Sequence, residues 1–205
     1  MKPSETEIIA LAREALTSDA RLEELWTGLS VKDLDTRQRS FLSLHMLTEV
    51  YPERMYVRYW DKVAAMLDGK GVDAKYIAIY LLAGMAAAKG DTKFEAICEK
   101  YFSLLDDNSL IIPLHVALNA ARIFKAKPSL RSCITGYLLK VGQTHHTPGR
   151  RALIAANAME TLDKCFDDIE DKAAVIDFVQ SYLDAPSPKA RKTAKEFLKR
   201  RGAAG

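Results

Sequence analysis

The residues able to do chemistry are few and scattered along the chain. His145 and His146 are adjacent, just before a Thr147-Pro148 helix start. Two neighbouring imidazoles hold a metal only where further donors converge, and no cysteine or carboxylate lies at ligand spacing beside them. The pair reads as a solvated turn, so neither a metal nor a cofactor is expected. His45 and His115 sit at positions that do not repeat and read as partly buried helix residues. The acids Asp163, Asp167, Asp168, Glu170 and Asp171 crowd one turn. They lack the glycine-centred, alternating spacing of a calcium loop, and part of the run caps the helix that follows. Cys98, Cys133 and Cys165 are each more than thirty residues apart with no Cys-x-x-Cys, which fits reduced, packed thiols. Gly-rich phosphate loops, Gly-x-Ser-x-Gly and His-Glu-x-x-His are all missing, so no catalytic residue is assigned and the chain reads as a non-enzyme.

Charge offers one more lead. The 205 residues sum to +3, but the stretch from Ser187 onward carries +6 and the remainder −3. Lys189, Lys192, Lys195 and Lys199 belong to that last helix, and Arg150 and Arg151 start a helix at the equivalent place one repeat earlier. Such an edge could contact phosphates. It is also what a terminal repeat needs on its solvent face, and cations suit a helix C-terminus.

The elements that must position these groups are all helical. Ser4-x-x-Glu7 is a capping box. Apolar residues then recur at i, i+4, i+8 through eleven successive segments, each bounded by Gly, Pro or Asp-rich breaks. The third segment shows Leu42, Met46 and Val50 as its stripe, and the eighth includes Cys133. Stacking equivalent positions gives Ile8, Leu42, Ile79, Val116, Ile154 and Ala194, at intervals of 34, 37, 37, 38 and 40 residues. Four residues on, the column reads Ala12, Met46, Ala83, Ala120, Ala158 and Leu198, mostly small, as close helix crossings require. Trp26, Trp60, Ile97 and Ile134 form a third column, which assigns both tryptophans to the core. Helix pairs at this period form a solenoid, because one pair cannot cover its own apolar face. The predicted units are 4–30, 35–71, 72–108, 109–146 and 147–186, with a capping helix at 187–201, all in one domain spanning 1–205.

Thr147-Pro148 and Ser187-Pro188 place a capping hydroxyl before a proline at the first helical position. Pro188-x-x-Arg191-x-x-Ala194-x-x-x-Leu198 resembles the first-helix pattern of HEAT repeats, and Pro148-x-x-Arg151-x-x-Ile154-x-x-x-Ala158 is a looser version. The middle units lack the proline, so armadillo-like repeats fit as well. The resemblance implies an all-α, right-handed α-solenoid of about five antiparallel helix pairs plus a C-terminal capping helix. It also implies that the second helices line a concave face. Arg54, Arg58, Lys62, Lys93, Lys100, Arg131 and Lys140 would then look into a groove of mixed charge, which suits a protein partner better than a duplex.

The expected role is a non-enzymatic protein-binding scaffold in the cytoplasm. No signal-peptide pattern follows Met1-Lys2, and no stretch is apolar enough to span a membrane. Two alternatives stand beside it. Arg150, Arg151 and the basic last helix could serve nucleic-acid binding or repair, and some DNA glycosylases for alkylated bases are built from HEAT-like repeats. Some bilin lyases also carry such repeats, although no residue here supports that chemistry.

Overall fold

A computed structural model describes residues 3–90 and 92–201. Met1-Lys2, Asp91 of the Gly90-Asp91 turn and the Gly-Ala-Ala-Gly tail lie outside the described residues. Eleven α-helices and no strand are found among the described residues: α1 (Glu5–Thr17), α2 (Asp19–Gly28), α3 (Leu34–Val50), α4 (Pro52–Ala65), α5 (Val72–Met85), α6 (Lys93–Ser103), α7 (Ile111–Ala126), α8 (Arg131–Leu139), α9 (Pro148–Cys165), α10 (Lys172–Gln180) and α11 (Pro188–Arg201). Short 3-10 turns end several of them, including Leu104–Asp106 and Phe166–Asp168. No helix among the described residues is long and apolar enough to cross a membrane.

The odd-numbered helices pack side by side in chain order, from α1 to α11. The even-numbered helices α2, α4, α8 and α10 lie against that layer. The result is the expected solenoid of helix pairs with α11 as its end cap. One apolar core runs through it from Ala12 to Phe197. Ile79, Val116, Ile154 and Ala194 are wholly buried in it, as their column requires. Each buried Ile or Val of this kind contributes about 1.5–3 kcal/mol, so the shared core offsets the ordering of so many short helices.

Glycine sets the closest crossings. A Cβ on Gly84 of α5 would stand 2.3 Å from Thr48 Oγ1 and 3.2 Å from the Thr48 carbonyl carbon of α3. A Cβ on Gly28 of α2 would meet Ser40 Oγ of α3 at 2.1 Å. These two contacts explain why α3 departs from the predicted stripe. Ser40, Ser43, Leu44, Leu47 and Thr48 face inward. Leu42 and Met46 are only half-buried, and Val50 is 60% exposed. Small hydroxyl residues, not the apolar stripe, are what fit against the glycines.

The helix caps, tryptophans and cysteines follow the expected pattern in part. The Ser4 hydroxyl accepts the Glu7 N–H at 3.2 Å, and Ser187 accepts from Ala190 at 3.4 Å. Glu7 gives its carboxylate to Arg39 of the next unit at 3.1 Å. Thr147 makes no side-chain cap, leaving Pro148 alone to start α9. Trp60 and Ile134 are buried, whereas Trp26 and Ile97 are half-exposed. Cys98 and Cys165 are packed, but Cys133 is exposed on α8 beside the Cys98 thiol, which burial chiefly and Cys133 secondarily push up to about 12.

Candidate functional site

Most of the cations expected to face a groove are committed inside the molecule. On α4, Arg54 reaches Asp19 at 3.0 Å and the Leu16 carbonyl at 2.7 Å, while Arg58 reaches Asp19 at 2.9 Å and Glu23 at 3.4 Å. Lys62 lies 5.5 Å over the rings of both Trp26 and Tyr59, which stack at 4.6 Å. On α6, Lys93 pairs with Asp61 at 2.8 Å and Lys100 with Asp68 at 2.5 Å. Arg131 of α8 pairs with Asp168 at 3.1 Å and covers the Phe124 ring.

The carboxyl partners stand 32 to 39 residues away, which is one repeat. These pairs therefore join neighbouring units. The carboxylate of each pair is exposed and the pair contributes at most about 1 kcal/mol, so together they fix the register of the stack more than its stability.

The basic end is similarly occupied. Lys189 donates to Asn157 Oδ1 at 2.5 Å and pairs with Glu160 at 3.1 Å; Lys192 approaches Glu196 at 3.8 Å. Arg151 donates to the Gly142 carbonyl at 2.9 Å. Arg201 grips Asp163 and Asp167, both at 3.0 Å, and Arg200 reaches Asp163 at 2.8 Å. Asp163, Asp167 and Asp168 of the acidic turn are thus spent on Arg131, Arg200 and Arg201, while Asp171 caps α10 by accepting the Ala174 N–H at 2.9 Å. Of the predicted residues, Lys140, Arg150, Lys195 and Lys199 are exposed and make no ion pair among the described residues.

A different surface has the character of a site. Phe41 and His45 of α3, Tyr76 and Tyr80 of α5, and His115 of α7 form a continuous group of half-buried rings on the odd-helix layer. Neighbouring ring centroids are 4.7 to 5.9 Å apart. The Tyr80 hydroxyl and His115 Nδ1 share a hydrogen bond of 2.7 Å. Arg122 of α7 bonds His45 Nε2 at 2.7 Å and forms an ion pair with Glu49.

A hollow of about 350 Å³ lies at each end of the ring group. One is lined by Leu34, Phe41, Tyr76 and Ile77, with Arg37 and Asp73 at its rim. The other is lined by Tyr80, Leu118, Asn119, Arg122, Lys125 and Lys164. Lys125 and Lys164 are exposed and make no ion pair among the described residues. At the starts of α3, α5 and α7, Leu34 is 64% exposed, Val72 40% and Ile111 49%. This layer is not the one the repeat resemblance pointed to. The available signal was an offset of one repeat, since Phe41 and Tyr80, and likewise Tyr76 and His115, are separated by 39 residues.

Burial lowers the pKa of His115, and burial with help from Arg122 lowers that of His45 against the opposing pull of Glu49. Both rings are therefore kept neutral in the fold below the ordinary value of 6.5, at which the unfolded chain takes up protons. The unfolded state binds more protons as pH falls, so the contribution is full above that value and declines beneath it. Thermal unfolding followed from pH 7.5 to 5 is expected to show a falling Tm, and His115→Gln is expected to flatten part of that fall.

The turn before α9 also differs from a solvated one. His146 is only 5% exposed. The preceding His145 bonds Asp106, which the fold brings from the turn after α6, at 2.6 Å.

No family model matches the chain, and no curated protein matches it. Among solved structures it is similar to the designed armadillo repeat protein YIII(Dq)4CqI, at 13% identity over 97% of this chain and 94% of that one, with a TM-score of 0.47.

Proposed function

We propose that this chain is a non-enzymatic binding module that holds a protein partner on the odd-helix layer, across the rings of α3, α5 and α7. The observation that carries the reading is the continuous half-buried ring group with a hollow at each end. Tyrosine, aromatic groups and arginine dominate the energetic centres of protein interfaces, because they bury much area at little entropic cost. A monomer gains little by leaving such rings half in water together with Leu34, Val72 and Ile111.

The two hollows differ, and the difference defines the partner. The Leu34–Phe41–Tyr76 hollow takes an apolar or aromatic anchor. The Arg122–Lys125–Lys164 hollow takes a carboxylate. A segment bearing an apolar side chain and an acidic one fits both. Phosphate is a weaker fit, since most bases of the terminal helix are neutralised within the fold.

The tagged chain, purified from its native host, is expected to bring one protein partner along. Lys125→Glu with Lys164→Glu is expected to weaken that association by about tenfold or more, the cost of setting like charges across an interface. Lys93→Ala, on the other layer, is expected to leave it unchanged. Equal retention by the charge-reversed and parent chains would remove the assignment of this face. Retention of nucleic acid with a steep salt dependence, in place of a protein, would replace the reading altogether.

A further inference from the structure

We propose that Asp106, His145 and His146 bind a divalent transition-metal ion of the zinc class, joining the turn after α6 to the turn before α9. One donor atom from each residue lies within 4.8 Å of the other two. The residues are one repeat apart in sequence, 106 against 145 and 146, and only the stacking of neighbouring units brings them together. Asp106 Oδ1 accepts the backbone N–H of His145 at 2.8 Å, which fixes the carboxylate beside the ring. The His145 and His146 rings have centroids 4.2 Å apart.

His146 supplies the independent observation. Its Nε2 is buried and has no hydrogen-bond partner. A buried polar atom without a partner costs about 1–3 kcal/mol and calls for an explanation. The Asp107 backbone acts on the same ring, and Nε2 is the nitrogen without a partner. Metal-binding histidines offer one free nitrogen while the backbone or a carboxylate orients the ring.

The donor set selects the ion. Two imidazoles and one carboxylate suit zinc and its neighbours in the transition series, whereas calcium and magnesium require oxygen donors throughout. Three protein donors leave a position for water, as in an open site. On coordination His145 keeps its proton on Nε2 and offers Nδ1, so its hydrogen bond to Asp106 is exchanged for a shared ion. Arg150, near enough for its charge to act on His146, opposes a cation there, and the Asp106 carboxylate offsets it.

The test uses the full chain stripped with a chelator and titrated with Co²⁺ alone, whose visible absorption reports tetrahedral coordination, followed by displacement with Zn²⁺. One ion per chain is expected, with a rise in Tm. Asp106→Asn and His145→Ala alter residues whose side chains are 52% and 47% exposed, so both variants should fold. Each is expected to weaken binding by about tenfold or more, as loss of even a supporting partner does. Cys133→Ser is expected to leave binding intact. Failure of the parent chain to bind Co²⁺ or Zn²⁺, undiminished binding by Asp106→Asn and His145→Ala, or loss of binding in Cys133→Ser would each overturn the assignment.

Discussion

Gly84→Ala is expected to destabilise the protein by about 2–3 kcal/mol, the range of overpacking in a tight core. The sign is the informative part, because alanine favours a helix interior over glycine by about 1 kcal/mol. An added Cβ would stand 2.3 Å from Thr48 Oγ1 and 2.7 Å from Thr48 Cβ, and the Thr48 carbonyl carbon is 3.2 Å away. Both helices carry inward residues next to this crossing, including Leu44 and Leu47 on α3 and Leu81 and Leu82 on α5. The axes cannot separate there without opening the core. Thr48→Ala in the same chain removes the nearest atom but not the Cβ, so it should recover only part of the loss. Denaturant unfolding of the single and double variants measures this, and a Gly84→Ala chain as stable as the parent would show that α3 and α5 do not cross here.

Asp107→Ala is the second large effect, also expected at about 2–3 kcal/mol. Lys75 Nζ meets Asp107 Oδ2 at 2.6 Å, with side chains only 21% and 9% exposed. The other carboxylate oxygen accepts the Ser109 N–H at 2.9 Å and shapes the entry to α7. Removing the carboxylate leaves a shielded ammonium without its counter-charge and loosens that entry. Loss of one partner from a fully buried pair costs about 3–5 kcal/mol, and exposed pairs contribute about 0–1, so this pair falls between. Asp61→Ala is the matched control. Asp61 pairs with Lys93 across the same one-repeat interval, but its side chain is 82% exposed. Its removal is expected to cost under about 1 kcal/mol. Equal losses for the two variants in urea unfolding would contradict the burial argument.

The repeat itself was legible because it is periodic twice over, within each helix and from unit to unit. Ile79, Val116, Ile154 and Ala194 could be assigned to the core by stacking alone, and all are buried. The face of α3 was not legible. Its inward residues Ser40, Ser43 and Thr48 are chosen by glycines on α2 and α5, and apolar periodicity carries no trace of that. The intramolecular commitments of the predicted site residues were hidden for a related reason. A lysine or arginine on a helix shows its charge but not its counter-charge, and here the counter-charge is one repeat away. The same interval hid Asp106 from His145 and separated the rings that meet at Tyr80. Comparing residues one unit apart, instead of near neighbours, would have brought all three groupings into view.

The odd-helix layer of the solenoid is the one proposed to meet a partner. A photo-crosslinking residue placed at Gln38, beside the Phe41–Tyr76 hollow, and separately at Glu99 on α6, measures this directly in the native host. Covalent capture of a single protein from Gln38, with none from Glu99, is the predicted result. Capture from Glu99 and none from Gln38 would contradict it.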